Sequence, residues 1–169
     1  MSNVAEFEIS DSQSLQNETR VARKLIFLVF LVALKYRASR LHFEPSATAN
    51  EWKLHYEESG VWVEMEPVPL HVPISREIRR MARLGFMNWL RRWSGAWFKV
   101  EKTANEGKMR LVVAGEGIDI TISLHSPVSG SHEGEAVMLN LPTTTAISVK
   151  ADQFLQVYEK LVDLEGADL

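Results

Sequence analysis

Hydrophobic and polar positions change period several times along the chain. From Thr19 to Tyr36 the apolar positions recur at helical spacing and merge into the run Leu25–Leu34. This predicts a helix over 19–36 whose second half is covered on several sides. Period-two alternation follows. Arg40–Glu44 alternates and stops at Pro45. In 51–57, Trp52, Leu54 and Tyr56 share one face, and Lys53, His55 and Glu57 the other. Glu58-Ser59-Gly60 is a turn, and Val61, Val63 and Met65 share a face beyond it, which predicts a hairpin. Pro67, Pro69 and Pro73 mark an extended connection. Ile78, Met81, Ala82, Gly85 and Trp89 form a stripe that predicts a helix over 75–92, with Ser75 as N-cap. Alternation returns in 96–101, 109–114, 118–124 and 135–141, and a closing helix is predicted over 150–164.

One apolar face per strand implies an antiparallel sheet covered by helices. The predicted fold is therefore α+β, with six to seven strands and N-terminal, central and C-terminal helices. Residues 1–18 lack periodicity and read as a flexible arm. Residues 19–142 read as the domain, and 143–169 as a closing helix with an acidic tail.

Composition changes this picture little. The chain has 169 residues, 46% hydrophobic and 24% charged, which fits one globular domain. No cysteine is present, so thiol catalysis and cysteine-based zinc sites are excluded. A net charge of −3 gives no global attraction to nucleic acid, and none is expected as a partner. The run Leu25–Leu34 is about half of the roughly 20 apolar residues a membrane helix needs, so a buried helix is expected rather than membrane insertion. The N-terminal residues are acidic and polar, unlike a secretory signal.

Candidate chemistry is sparse. A phosphate-binding loop needs Gly, four residues, then Gly-Lys-Ser/Thr. Gly107-Lys108 is followed by Met109, and Lys102 stands where the first glycine belongs. The five histidines are scattered. His42 and Glu44 share a strand face, which supplies two ligands where a zinc site wants three or four, and His132-Glu133 is a loop pair. No catalytic residue, cofactor or metal is expected. The arginines are less even: six of the eleven lie between residues 76 and 92, where Glu77 is the only acid. Arg76, Arg79, Arg80 and Arg83 read either as a basic face for an acidic partner or as solvated surface. Trp93 and Trp97 follow, either as core or as contact residues, since Trp and Arg dominate interface hot spots.

Five blocks then carry a family resemblance. Ala38-Ser39-Arg40-Leu41-His42-Phe43-Glu44-Pro45 resembles the Ala-Ser-Asp-Ile-His-Ile-Glu-Pro signature of type II secretion and type IV pilus assembly ATPases. The hairpin 51–66 is similar to theirs. Arg79-Arg80-Met81-Ala82-Arg83-Leu84 resembles their Arg-Ile-Lys-x-Met-Ala-x-Leu helix. Ile118-Asp119-Ile120-Thr121-Ile122-Ser123 is similar to Ile-Asp-Leu-Arg-Val-Ser. Gly134-Glu135-Ala136-Val137-Met138-Leu139-Asn140-Leu141 is similar to Gly-Glu-x-Val-Val-x-Arg-Leu. The blocks keep family order over 20–142.

The resemblance implies the family's PAS-like N-terminal domain. The stretch after Pro142 is far shorter than the roughly 200 residues of a RecA-type motor, so no ATPase activity is expected. The resemblance also implies that arginines of this domain reach nucleotide phosphates, and here they are missing. Trp93-Ser94-Gly95-Ala96-Trp97 lacks one, Thr121 replaces a second, and Asn140 replaces the arginine of the last block. Arg40 stands where the family has Asp. A hydroxyl or amide cannot reproduce a guanidinium's bidentate grip on phosphate.

The expectation is a non-catalytic protein-interaction module, an accessory or regulatory component docking on a secretion or pilus ATPase or its membrane-platform protein. It would be cytoplasmic, peripheral at the inner membrane through that partner, and open to homo-oligomerisation. Its partner-binding residues would be Arg76, Arg79, Arg80, Arg83, Trp93 and Trp97. The alternatives are a PAS-like small-ligand sensor and a nucleotide-binding protein using the arginine-rich helix.

Overall fold

In a computed structural model, the chain is described over residues 4–84, 105–126 and 135–167. It is α+β. The elements are β1 (Ala5–Ile9), α1 (Ser12–Gln16), α2 (Val21–Lys35), β2 (Arg40–Ser46), β3 (Glu51–Glu58), β4 (Val61–Glu64), β5 (Val68–Pro69) and α3 (Ile74–Met81). After residues 85–104 come β6 (Glu106–Val113), β7 (Glu116–His125), β8 (Ala136–Asn140) and α4 (Thr145–Ala167).

The strands form one open sheet in the order β1-β6-β7-β8-β2-β3-β4, with β5 also pairing β3. It is antiparallel except for β1, which runs parallel to β6. Among the described residues the sheet has eight strands: six of those expected, joined by β1 and the short β5, while the strand expected over 96–101 lies outside the described residues. The N-terminal segment, expected as a flexible arm, instead supplies β1 and the capped α1. Ala5, Ile9 and Leu15 are buried, and Asp11 Oδ1 accepts from Ser14 N at 2.7 Å. Three apolar side chains spread over eleven residues are too sparse to read as a periodic element, yet they seal this edge of the core.

Alternation is realised as expected in the central strands. Leu41, Phe43, Trp52, Leu54, Tyr56, Met109, Leu111, Ile120, Ile122, Val137 and Leu139 are buried in one cluster with the helices. We call this the covered face. α2 lies in the middle of the helical layer, packed on α4 and α3. That explains its apolar circumference: Ile26, Phe30, Leu31 and Leu34 are fully buried. Leu28, by contrast, is half-buried. Among the described residues, no helix is long and apolar enough to cross a membrane.

Two hairpin turns follow from local chemistry. Ser59-Gly60 and Ala114-Gly115 both place two successive residues at positive φ, the geometry that matches strand twist in a two-residue hairpin. The helix ends are less obvious from sequence. α2 stops with Arg37 at φ 56°; Ala38 N donates to Ala33 O and Arg37 N to Leu34 O. α3 stops the same way. Arg83 takes φ 57°, Leu84 N donates to Arg79 O and Arg83 N to Arg80 O. These are Schellman closures without glycine, each followed by a buried residue, Ala38 or Leu84. Of the helix predicted over 75–92, residues 85–92 lie outside the described residues, and α3 therefore ends at Met81. It also starts earlier, at Ile74 with Pro73 in the N-cap position, so Ser75 lies inside the first turn and is not the cap.

Candidate functional site

The arginines of α3 do not behave as one face. Arg76 is exposed. Arg79 is half-buried, and its Nε and Nη2 donate to both carboxylate oxygens of Glu135 at 2.6 and 2.7 Å. Its Nη2 also reaches Asn105 Oδ1 at 3.3 Å. Arg80 Nη1 donates to Glu77 Oε2 at 3.0 Å. Arg83 is exposed just beyond the helix. Glu77 itself is buried and also meets Arg23 Nε at 2.8 Å and Arg20 Nη1 at 3.6 Å. It sits in the first turn of α3, where the helix dipole favours a carboxylate. Arg79 thus ties α3 to the residue before β8, Arg80 pairs within α3 with Glu77, which Arg23 and Arg20 tie to α2, and Arg76 and Arg83 face solvent. Trp93 and Trp97 lie outside the described residues.

The second feature is the sheet surface opposite the helices. Strand pairing sets its side chains in rows. One row runs Thr121 (β7), Asn140 (β8), Arg40 (β2), Glu57 (β3), Trp62 (β4). The next runs Ser123, Met138, His42, His55, Glu64. The third holds His125 opposite Ala136, with Glu44 one position beyond the Phe43–Val137 pair.

In the first row Arg40 grips Glu57 with two hydrogen bonds, Nε to Oε2 at 2.5 Å and Nη2 to Oε1 at 2.8 Å. Ser39 Oγ donates to the same carboxylate at 2.9 Å. The Arg40 guanidinium, helped by Ser39, holds Glu57 well below the usual carboxylate range, at about 2. Arg40 also lies 5.1 Å from the centre of the Trp62 ring, a cation–π contact.

The other two rows bring His42, Glu44 and His125 together. Their ligand atoms all lie within 4.8 Å of one another. His42 Nε2 is 3.4 Å from Glu44 Oε2. The His42 and His125 rings are nearly parallel, 2° apart in plane and 5.6 Å between centres. Burial lowers the His42 pKa, opposed by the Glu44 charge and reinforced by His125 and His55. Among the described residues, His42 Nε2 is buried and has no hydrogen-bond partner. The shared face of His42 and Glu44 is legible in sequence. His125 is not, because its place depends on β8 inserting between β7 and β2.

A third feature is an apolar cleft of about 340 Å3 between α2 and β3–β5, lined by Leu28, Val32, Leu54, Met65, Pro67 and Val72 among others.

Comparison with known proteins leaves the geometry to speak alone: no protein-family model matches the chain, and no curated protein matches it.

Proposed function

We propose that the chain is a non-catalytic docking module built on the scaffold of the PAS-like N-terminal domain of secretion and pilus ATPases. One observation carries this reading. The strand blocks that resemble the family, 38–45, 118–123 and 134–141, fall on β2, β7 and β8, which are hydrogen-bonded neighbours. Their departures from the family, Arg40, Thr121 and Asn140, occupy a single cross-strand row. Arginine at both 40 and 140 would set like charges directly opposite each other, which destabilises a sheet. Asn140 avoids that, and Arg40 turns to Glu57 on the other side. A coordinated change in one row supports a shared scaffold whose phosphate-gripping charges have been given up. Loss of those charges favours a binding role over nucleotide chemistry.

The partner is an acidic surface on a secretion or pilus motor ATPase or its platform protein, met by Arg76 and Arg83. Such a contact would hold the protein on the cytoplasmic side of the inner membrane. The test uses the full chain mixed with the motor and platform proteins encoded by the same genome. Co-elution with one of them is expected, weakening as salt rises. Arg76→Glu with Arg83→Glu should abolish it while leaving the ion pairs of Glu77 and Glu135 in place. No complex with either protein at low salt would overturn the reading. The cleft beside α2 favours one second reading, a sensor for a small apolar ligand, which a thermal shift with such ligands and no partner complex would support.

A further inference from the structure

We propose that His42, Glu44 and His125 form a binding site for a divalent metal ion of the zinc class on the sheet face opposite the helices, which no described element covers. The donor set is the first reason. Two imidazole nitrogens and one carboxylate suit Zn2+ and its neighbours in the first transition row, whereas Mg2+ and Ca2+ select oxygen. Distance is the second. Ligands about 2.1 Å from a tetrahedral ion stand ~3.4 Å apart. His42 Nε2 and Glu44 Oε2 already have that separation, 3.4 Å. The third donor lies within 4.8 Å of both, so small side-chain rotations close the triad.

The backbone explains how such distant residues meet. β7 and β2 are not neighbours; β8 lies between them, so their chains run about 10 Å apart. His125 and Glu44 must therefore lean toward each other across β8. The residue between them is Ala136, whose buried methyl takes little room. A longer side chain there would take more. The buried His42 Nε2, without a hydrogen-bond partner among the described residues, is then explained, since such atoms call for an ion or water.

Three protein donors leave a fourth position for water or for a side chain of a bound partner. The ion would tie β2 to β7 over β8. His42 and Glu44 belong to a block that resembles the ATPase family, whereas His125 falls between the blocks at 118–123 and 134–141. The triad is thus a property of this chain, independent of the docking reading.

The full chain, freed of metal by chelator, is titrated with ZnCl2 by calorimetry and by NMR of 15N-labelled imidazoles. One zinc per chain is expected, with His42 and His125 ring nitrogens shifting together while His55 and His71 stay. His42→Ala and His125→Ala should each weaken zinc by about tenfold or more, since losing even an outer partner of a metal ligand costs that much. Circular dichroism checks that both variants fold, and the wild-type NMR decides the matter if they do not. Absence of zinc binding overturns the proposal. So does zinc that shifts His55, His71 or His132 instead, or an affinity unchanged in either variant.

Discussion

β2 presents two chemistries on its two faces. Leu41 and Phe43 are fully buried against α2 and the rest of the core, while Arg40, His42 and Glu44 alternate with them on the uncovered side. The covered face needs only bulk and shape, and many apolar side chains share the work. The uncovered face works through pairs: Arg40 with Glu57, His42 with Glu44 and His125. Apolar burial tolerates a change of neighbour; a pair does not. The covered face should therefore hold stability, and the uncovered face should hold specific chemistry at little cost to stability.

The sharpest way to break that contrast is to truncate adjacent residues of β2. Phe43→Ala removes a fully buried ring and should cost about 3–5 kcal/mol. His42→Ala in metal-free protein should cost less, about 1 kcal/mol, the centre of the range for point substitutions, because its ring is half-buried. Urea denaturation with equal m-values would measure both. Comparable losses at the two positions would mean that the faces are not divided in this way.

An intermediate effect is expected where a charge sits on the covered side. Glu77 is buried between α3 and α2 and receives Arg23, Arg80 and Arg20. Glu77→Gln keeps the shape and removes the charge, so the arginines lose a charged acceptor. The expected cost is about 1.5–3 kcal/mol, the worth of hydrogen bonds to charged groups. A negligible change in denaturation midpoint would show that the arginines resolvate freely and that α2 and α3 are joined by apolar contact alone.

What the sequence revealed follows the same division. Apolar alternation at 51–57 and 118–124 predicts the covered face correctly, because burying a side means the same whichever strand lies alongside. The turn at Ser59-Gly60 was legible because a glycine, here at positive φ, leaves a local signature. The end of α3 was not, because Arg83 takes the left-handed position with no glycine to mark it, and Gly85 continues the apparent stripe. β1 was hidden because it joins the sheet in parallel, far from its partner β6 in sequence. The basic face of Arg76, Arg79, Arg80 and Arg83 was legible as a charge pattern, yet its division was not. Glu135, which takes Arg79, stands fifty-six positions away, and no local pattern links the two. His125 is the same case on the uncovered face.

The smallest effect is expected at Glu57, an arginine-bound acid like Glu77 but on the uncovered side. Its carboxylate should titrate at about 2, against an ordinary value of 4.5, because Arg40 and Ser39 hydrogen-bond the charged form. Folding thus gains from this group whenever pH exceeds the unfolded value near 4.5. The gain fades as pH falls toward about 2, where the folded group takes up its proton, and is absent below. Carboxyl 13C chemical shifts of Glu57 would give the midpoint directly. Arg40→Ala should move that midpoint upward, since the arginine is its largest cause. The same substitution removes the cation over Trp62, so tryptophan fluorescence offers a second reading of the same pair. Solvent at the 43% exposed Arg40 side chain limits what the pair adds to stability even when the pKa shift is large. A displaced titration with a barely changed denaturation midpoint at pH 7 is the combined result that the two-faced sheet requires. A large loss of stability would place Arg40 and Glu57 among the residues that hold the fold, and the division between the faces would have to be redrawn.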